Sequence, residues 1–135
     1  MAGYSKRSLP EKLGIKEGFK IAILNPPRNY GATLGELPTH VTVVDRPEAE
    51  MDLIHCFVKS KREAASAISD LRHNISPRGA LWVSWPKGSS GVSTDLNENV
   101  VREVGLKSGL VDVKVCAVDE TWSGLKFVYR RKDRP

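Results

Sequence analysis

The segment formed by residues 79–105 most constrains what this chain can fold into. It opens with the apolar run 80–83, passes through a loop rich in Pro, Gly and Ser, and enters a helical pattern at Asp95. A buried strand, a polar loop and a capped helix in this order form the repeating unit of parallel α/β sheets. Ligands of such sheets bind at the carboxyl ends of the strands. The segment therefore predicts a fold class and the edge of the sheet where a site would lie.

The same alternation of strand and helix signals runs through the rest of the chain. Ser8 and Glu11 form a capping-box pattern that predicts a short helix ending at Gly14, and Ser60 with Glu63 forms a second such pattern. A third short helix is expected at 30–37. Apolar runs predict six strands, at residues 19–24, 41–44, 52–58, 80–85, 111–117 and 125–130.

Two of the predicted helices carry an apolar stripe at three- and four-residue spacing. The helix after the third strand carries it from Ala64 to Ile75. The helix after the fourth strand is predicted to be capped by Asp95 with Glu98 and to stop at Gly109. Both helices should therefore pack on the sheet along one face.

The fifth and sixth strands are joined by too short a link for a crossover, which predicts a terminal hairpin. This order resembles the sheet of class I methyltransferases. The resemblance implies a single Rossmann-like, three-layer α/β domain at 8–130, with tails at 1–7 and 131–135. It also implies a mostly parallel six-stranded sheet in the order 2-1-3-4-6-5, with strand 6 antiparallel. One strand–helix unit of the full family is missing between Asp45 and Asp52, so the domain resembles a trimmed class I methyltransferase.

Four blocks of the sequence resemble a second family. They span residues 9–18, 52–58, 79–103 and 109–130, and together they cover nearly the whole chain. They look like the bacterial domain of unknown function 3052 family. This resemblance implies a small cytoplasmic bacterial protein, and it implies no activity.

Composition and charge narrow the function classes. No apolar run reaches the ~18–20 residues of a membrane span, and the first residues lack the apolar core of a secretory signal, so we expect a cytoplasmic protein. Cys56 and Cys116 lie in strand-like runs and the three histidines are scattered, which predicts free thiols and no metal site. Part of the net charge of +5 lies near the two ends, so a nucleic-acid partner remains an alternative to solvated tails.

The loop after the first strand bears directly on function. Nucleotide-binding loops at this position use glycines, because backbone N–H groups must approach the ligand, whereas this chain has Pro26 and Pro27. We therefore expect no cofactor, neither S-adenosylmethionine nor NAD. Asn25-Pro26-Pro27 also resembles the Asn-Pro-Pro-aromatic motif of amino-group methyltransferases. That motif follows the fourth strand of its family, and Arg28 stands here in place of the aromatic residue, with Tyr30 two positions later.

Polar residues at the predicted strand ends are the candidate ligand-binding residues. Asp45 follows the second strand at the distance expected of a ribose-binding acid, although a turn aspartate before Arg46 is the alternative. Lys87 and the neighbouring small residues suit an anion, or simply form a flexible loop. The full candidate set is Asn25, Arg28, Tyr30, Asp45, Trp85, Lys87, Ser89 and Ser90, with Trp122 as a candidate interface residue.

No nucleophile–base arrangement stands out, so no residue is assigned as catalytic. His55 lies in the middle of a strand and is predicted to be a core histidine. The leading hypothesis is a non-catalytic binding or interaction protein with a protein or small-molecule partner and no membrane. An enzyme or sensor for a small anionic or nucleotide-like ligand is the alternative, followed by nucleic-acid binding through the basic tails.

Overall fold

The computed structural model describes residues 7–48 and 50–134, which form one six-stranded sheet, four α-helices and three short 3-10 turns. The helices are α1 (Leu9–Leu13), α2 (Tyr30–Leu34), α3 (Lys61–Leu71) and α4 (Glu98–Lys107). The strands are β1 (Lys20–Leu24), β2 (Thr42–Val44), β3 (Met51–Phe57), β4 (Ile75–Pro86), β5 (Leu110–Ala117) and β6 (Trp122–Tyr129). Most of the predicted first tail, residues 1–6, and residue 135 of the second lie outside the described residues.

The sheet has the predicted topology. β1 pairs in parallel with both β2 and β3, and β3 pairs in parallel with β4. β6 is antiparallel to β4 and β5, and the strand order is β2-β1-β3-β4-β6-β5. The order 2-1-3-4-6-5 and the reversed sixth strand, which the resemblance to class I methyltransferases implies, are therefore confirmed.

Helices cover both faces of the sheet. On one face, α3 and α4 bury a core that includes Ile54 and Val101. On the other face, α1 and α2 pack on a core that includes Leu13 and Trp82, whose indole N–H donates to the Leu13 carbonyl at 2.9 Å. Within the described residues, no helix combines the length and the apolar character needed to cross a bilayer.

β4 begins earlier than predicted. α3 ends at Leu71, and Ile75, expected on the helical stripe, is the first residue of β4 and pairs with Met51. Ile75 is buried either way, so its apolar character alone does not distinguish the two elements. The register between β3 and β4 shifts after Met51, and a Cβ on Gly79 would lie 2.8 Å from the Met51 carbonyl oxygen. Gly79 thus permits the close approach of the two strands at this irregularity.

Two predicted caps are confirmed and one is wrong. The Ser8 and Ser60 hydroxyls accept the N–H groups of the residues three positions on, at 3.4 and 3.1 Å. The cap of α4 is Asn97, whose side-chain oxygen accepts the Val100 N–H at 2.9 Å, not Asp95. The Asp95 carboxylate instead accepts the Lys61 N–H at 2.8 Å, at the start of α3. Asp95 therefore caps a neighbouring helix, a contact that local spacing cannot reveal.

The link from β2 to β3 contains no helix in its described residues, 45–48 and 50. Glu48 forms an ion pair with Lys20, and its carbonyl accepts a hydrogen bond from the Asn74 amide at 2.9 Å. The Asp52 carboxylate accepts the Lys20 backbone N–H at 2.8 Å. These contacts hold the short link near β1, and the carboxyl ends of β1 and β2 have no helix from this crossover beside them.

Gly105 tests the packing of α4 on the sheet. A Cβ on this residue would lie 2.0 Å from the ring of Phe127, which is fully buried. Alanine favours a helix over glycine by about 1 kcal/mol, yet we expect Gly105→Ala to lower the free energy of unfolding by about 1–3 kcal/mol because the core is overpacked. Urea denaturation measures this change. The control is Gly31→Ala in α2, where the added Cβ meets nothing within 4 Å and stability should hold or rise; a stability gain in Gly105→Ala would contradict the packing.

Candidate functional site

A cavity of about 830 Å³ opens at the carboxyl ends of β1 and β2. We call it the β1–β2 cavity. Its walls come from the end of β1, the loop that follows it, the start of α2, and the end of β2 with the link beyond. The lining residues are Ile23, Pro26, Pro27, Arg28, Tyr30, Gly31, Val43, Val44, Asp45, Arg46 and Glu48. The cavity lies at the edge of the sheet that the sequence predicts for a ligand.

A second cavity of about 450 Å³, the β1–β3 cavity, lies beside the first. It is lined by Asn25, Pro26, Pro27, Arg28, Phe57, Lys59, Glu63 and Trp122. Three lining residues, Pro26, Pro27 and Arg28, are common to both cavities. The loop after β1 is therefore the wall between two adjacent spaces.

The backbone of this loop turns sharply. Asn25 has a φ of 55°, a left-handed conformation that asparagine tolerates better than most residues. Pro26 and Pro27 follow, and the Tyr30 N–H donates to the Pro27 carbonyl at 3.0 Å as α2 begins. Because proline fixes φ, two consecutive prolines make this wall stiff.

Beneath the wall, three buried side chains form a continuous hydrogen-bonded chain. The Tyr30 hydroxyl lies 2.7 Å from His55 Nδ1, and His55 Nε2 lies 2.7 Å from the Ser84 hydroxyl. His55 and Ser84 are fully buried and Tyr30 nearly so. A neutral imidazole donates from one nitrogen and accepts at the other, and each hydroxyl can do either, so every group in the chain is satisfied. The chain links α2 to β3 and β4.

Burial sets the ionisation of this chain. It lowers the pKa of His55 to about 3, so the imidazole is neutral at physiological pH. Burial also raises the pKa of the Tyr30 hydroxyl, with a smaller contribution from Cys116. The three hydrogen-bonded side chains, Tyr30, His55 and Ser84, therefore carry no charge at physiological pH. Its effect is positional, since it fixes α2 and with it the end of the proline wall.

Aromatic rings continue from this chain to the floor of the β1–β3 cavity. The Phe57 ring stacks on His55 with 4.2 Å between ring centroids, and Tyr30 packs edge-on against Phe57 at 5.0 Å. Trp122 also packs edge-on against Phe57, with 5.1 Å between ring centroids. Trp122, a candidate interface residue at a turn, is instead the first residue of β6 and is buried.

The structure brings four of the eight predicted ligand-binding residues together. Arg28, Tyr30 and Asp45 line the β1–β2 cavity, and Asn25 lines the β1–β3 cavity with Arg28. The other four lie apart from these two cavities. Trp85 is 4% exposed and belongs to the core under α3 and α4.

The loop after β4 is occupied by its own hydrogen bonds. The Lys87 ammonium donates to the Asp119 carbonyl at 2.7 Å, and the Ser90 hydroxyl donates to the Lys87 carbonyl at 2.7 Å. Ser89 is exposed within the 3-10 turn Gly88–Ser90. Lys87 thus fastens the β4 loop to the β5–β6 hairpin, where the Asp119 carboxylate also accepts two backbone N–H groups.

Several lining residues were missing from the sequence candidates: Gly31, Phe57, Lys59, Glu63 and the buried Ser84 beneath them. The alternation of His55 and Phe57 in β3 is a signal that both face one side of the sheet. The contact of His55 with Ser84 has no local signal, because it depends on the pairing of β3 with β4. Within the described residues, no group of three or more His, Cys, Asp or Glu side chains could hold a metal ion.

Comparisons with known proteins define the fold. No family model matches the chain, and no curated protein matches it. Among solved structures, an S-adenosylmethionine-dependent methyltransferase from Aquifex aeolicus is similar at 14% identity and a TM-score of 0.60, over 87% of this chain and 85% of that one.

Two further similar structures contain a ligand. Fibrillarin from Aeropyrum pernix, in complex with natively bound S-adenosyl-L-methionine, is 15% identical with a TM-score of 0.56, over 89% of this chain and 73% of that one. Magnesium protoporphyrin IX methyltransferase from Synechocystis PCC 6803 with bound SAH is 14% identical with a TM-score of 0.54, over 84% and 75%. The fold is a methyltransferase-like Rossmann fold.

These neighbours correct the leading hypothesis from the sequence. A non-catalytic binding or interaction protein was expected because prolines replace glycines after β1, but the similar structures are S-adenosylmethionine-dependent methyltransferases. The prolines were expected to deprive a nucleotide of its usual backbone cradle, and they line an open cavity at that place. The expectation of a non-catalytic protein is therefore wrong, and the activity is taken up as a proposal below.

Acid should destabilise the protein through His55. Its pKa is about 3 in the folded protein and about 6.5 in the unfolded chain, so between these values the unfolded chain binds more protons. Stability should therefore fall as the pH drops from about 6.5 toward about 3, and this contribution is constant above that range. Urea denaturation from neutral to acidic pH measures the slope.

Two variants isolate the contribution of His55 to this slope. His55→Gln, which can still donate and accept a hydrogen bond, should show a shallower dependence on pH than the wild type. His73→Gln, at an exposed histidine, should leave the dependence unchanged. Equal slopes in the wild type and His55→Gln would mean that His55 is not held neutral by burial.

Proposed function

We propose that the protein is an S-adenosylmethionine-dependent methyltransferase whose cofactor occupies the β1–β2 cavity. The observation that carries this proposal is the open cavity at the carboxyl ends of β1 and β2, with Asp45 at the end of β2. The sheet around it has the fold of proteins solved with S-adenosyl-L-methionine or SAH bound. In open α/β sheets this edge is where ligands bind.

Asp45 is the residue proposed to bind the ribose of the cofactor. It is exposed, lines the cavity, and forms no hydrogen bond or ion pair with another described residue. A carboxylate at the end of the second strand of a Rossmann-like unit accepts hydrogen bonds from ribose hydroxyls. The same position was predicted from sequence, with a turn aspartate as the alternative, and the cavity favours the ribose role.

The two prolines shape the cavity without excluding a nucleoside. Pro26 and Pro27 offer no N–H groups to a ligand, but their rings form an apolar wall against which a flat base or an alkyl chain can pack. Close main-chain approach is available at Gly31, where an added Cβ would meet nothing within 4 Å. In the proposed complex, binding thus depends on Asp45, the wall and the space at Gly31.

The adjacent β1–β3 cavity is the proposed acceptor site. When bound, S-adenosylmethionine would supply an electrophilic methyl group for transfer to the acceptor. Asn25 lines the acceptor side, where its amide can hold an acceptor N–H or O–H group, and Lys59 is also present there. Methyl transfer needs the two reactants held in line, so the stiff wall and the buried hydrogen-bonded chain beneath it would serve orientation.

Four other predictions from the sequence concern the family, the location and the partners of the protein. No family model supports the resemblance to the bacterial domain of unknown function 3052 family. Cytoplasmic location, a protein partner and nucleic-acid binding through the tails also stay predictions. None of them conflicts with a methyltransferase.

Calorimetry with S-adenosylmethionine and S-adenosylhomocysteine tests the proposal directly. The wild-type protein should bind both, and Asp45→Asn should weaken binding about 10–100-fold, because a charge-assisted hydrogen bond is lost. Asp70→Asn, an exposed change on α3, makes the same change in net charge and should leave binding unchanged. An absence of binding in the wild type, or equal binding by the Asp45→Asn variant, would rule out the proposed site.

A substitution at Gly31 tests the space in the cavity without touching a charge. Gly31→Leu should abolish cofactor binding, because its side chain enters the open space of the β1–β2 cavity. Ala32→Leu, at the next and exposed position of α2, adds comparable bulk outside the lining and serves as the control. Both variants should unfold near the wild-type urea concentration. Loss of binding in both would show that α2 itself had been disturbed.

A further inference from the structure

A third cavity lies at the opposite end of the sheet from the proposed methyltransferase site. Its volume is about 200 Å³, and it opens where β1 and β3 begin and β6 ends. It is lined by Gly14, Lys16, Phe19, Asp52, Leu53, Arg78, Ala80, Lys126 and Val128. The cavity has no residue in common with the two cavities at the carboxyl ends.

Cations dominate the polar lining of this cavity. Lys16, Arg78 and Lys126 line it, and Lys114 lies directly opposite Lys126 in the register of β5 and β6. The Lys126 ammonium lies beside the end of α1, since a Cβ on Gly14 would be 3.4 Å from it. Three cationic side chains from separate parts of the chain thus line one small space, and a fourth, Lys114, lies next to one of them.

Among the described residues, these four cations form no ion pair. In the described part of the chain, no carboxylate lies within 4 Å of the charged groups of Lys16, Arg78, Lys114 or Lys126. Asp52, the one carboxylate in the lining, accepts the Lys20 backbone N–H and offsets part of the positive charge, so cations outnumber carboxylates in the lining by three to one. The Lys114 ammonium donates to the Lys12 carbonyl at 2.9 Å, which holds it in place without cancelling its charge.

The electrostatic consequence is repulsion inside the folded protein. Burial lowers the pKa of Lys126, and the charges of Lys114 and Lys16 lower it further. Like charges directly opposite each other on antiparallel strands destabilise a sheet. A bound anion would relieve this repulsion, because it would neutralise several cations at once.

We infer that this cavity binds a small phosphorylated anion, of the size of a diphosphate group, through Lys16, Arg78 and Lys126. Its volume restricts the ligand, because drug-sized or nucleoside ligands need pockets of about 300–1,000 Å³, whereas about 200 Å³ holds a few water-sized groups. Arg78 provides a planar fork for phosphate oxygens, and the lysines provide compact charges. This site is independent of the proposed methyl transfer.

Calorimetry with inorganic pyrophosphate in a chloride buffer tests the inference. The wild-type protein should bind one pyrophosphate per chain, and Lys126→Met should weaken binding about tenfold or more, because it removes a charge-assisted contact. Methionine keeps most of the lysine stem, so the packing of β6 changes little. Lys132→Met, in the exposed 3-10 turn Arg131–Asp133, makes the same change in net charge away from the cavity and should leave binding unchanged.

Thermal unfolding without ligand gives a second test, because the variant that binds pyrophosphate more weakly should be the more stable one. Lys126→Met should raise the midpoint by about 1–4 °C, because it relieves the repulsion with Lys114 and Lys16. Lys132→Met should not raise it. A variant that is more stable yet binds worse cannot be explained by damage to the fold.

Three outcomes would overturn the inference. The first is no pyrophosphate binding by the wild type, and the second is equal loss in the Lys126→Met and Lys132→Met variants, which would indicate general attraction to a basic surface. The third is that a single-stranded DNA oligonucleotide binds far more tightly than pyrophosphate and loses affinity equally in both variants, which would assign the cations to a nucleic-acid surface.

Discussion

The buried hydrogen-bonded chain from Tyr30 through His55 to Ser84 is the constraint on which the carboxyl edge of this molecule depends. Three polar side chains in an apolar interior are stable only because each finds a hydrogen-bond partner there: His55 donates from one ring nitrogen and accepts at the other, and the two hydroxyls take the complementary roles. Tyr30 begins α2 immediately after the proline wall. These hydrogen bonds therefore attach the loop that separates the two cavities to the central strands β3 and β4. Because His55 is neutral, the core contains no buried charge at this position.

The two ends of the sheet carry cavities of different size and charge. At the carboxyl ends, a short link between β2 and β3 and a proline-rich loop leave room for two adjacent cavities. At the amino ends, side chains from the start of the domain and from the terminal hairpin line a small space in which cations outnumber carboxylates. The first end holds the two cavities that we propose for a cofactor and a methyl acceptor. The second has the charge expected for anion binding, and neither depends on the other.

Most helices and strands could be predicted because they rest on local chemistry, whereas the strand order was predicted from the resemblance to class I methyltransferases. Ser8 and Ser60 cap their helices with residues three positions away, and the short link after β5 forces a hairpin. The errors have one common cause. Asp95 caps a different helix, and Ile75 joins a strand because β3 lies beside it. In both cases the local pattern allowed two structures, and a contact with a residue distant in sequence, Lys61 or Met51, decided between them.

The sequence by itself determined where most helices and strands lie, the caps of α1 and α3, the proline loop and the place of Asp45 at the end of a strand, whereas the strand order followed from the resemblance to class I methyltransferases. Only the tertiary structure decided what the prolines do, because their effect depends on the space around them: next to Gly31 they line an open cavity. It also decided that Lys126 faces Lys114. The physical reason is that steric preferences act within a few residues, whereas burial, cavity shape and charge repulsion depend on which distant segments meet.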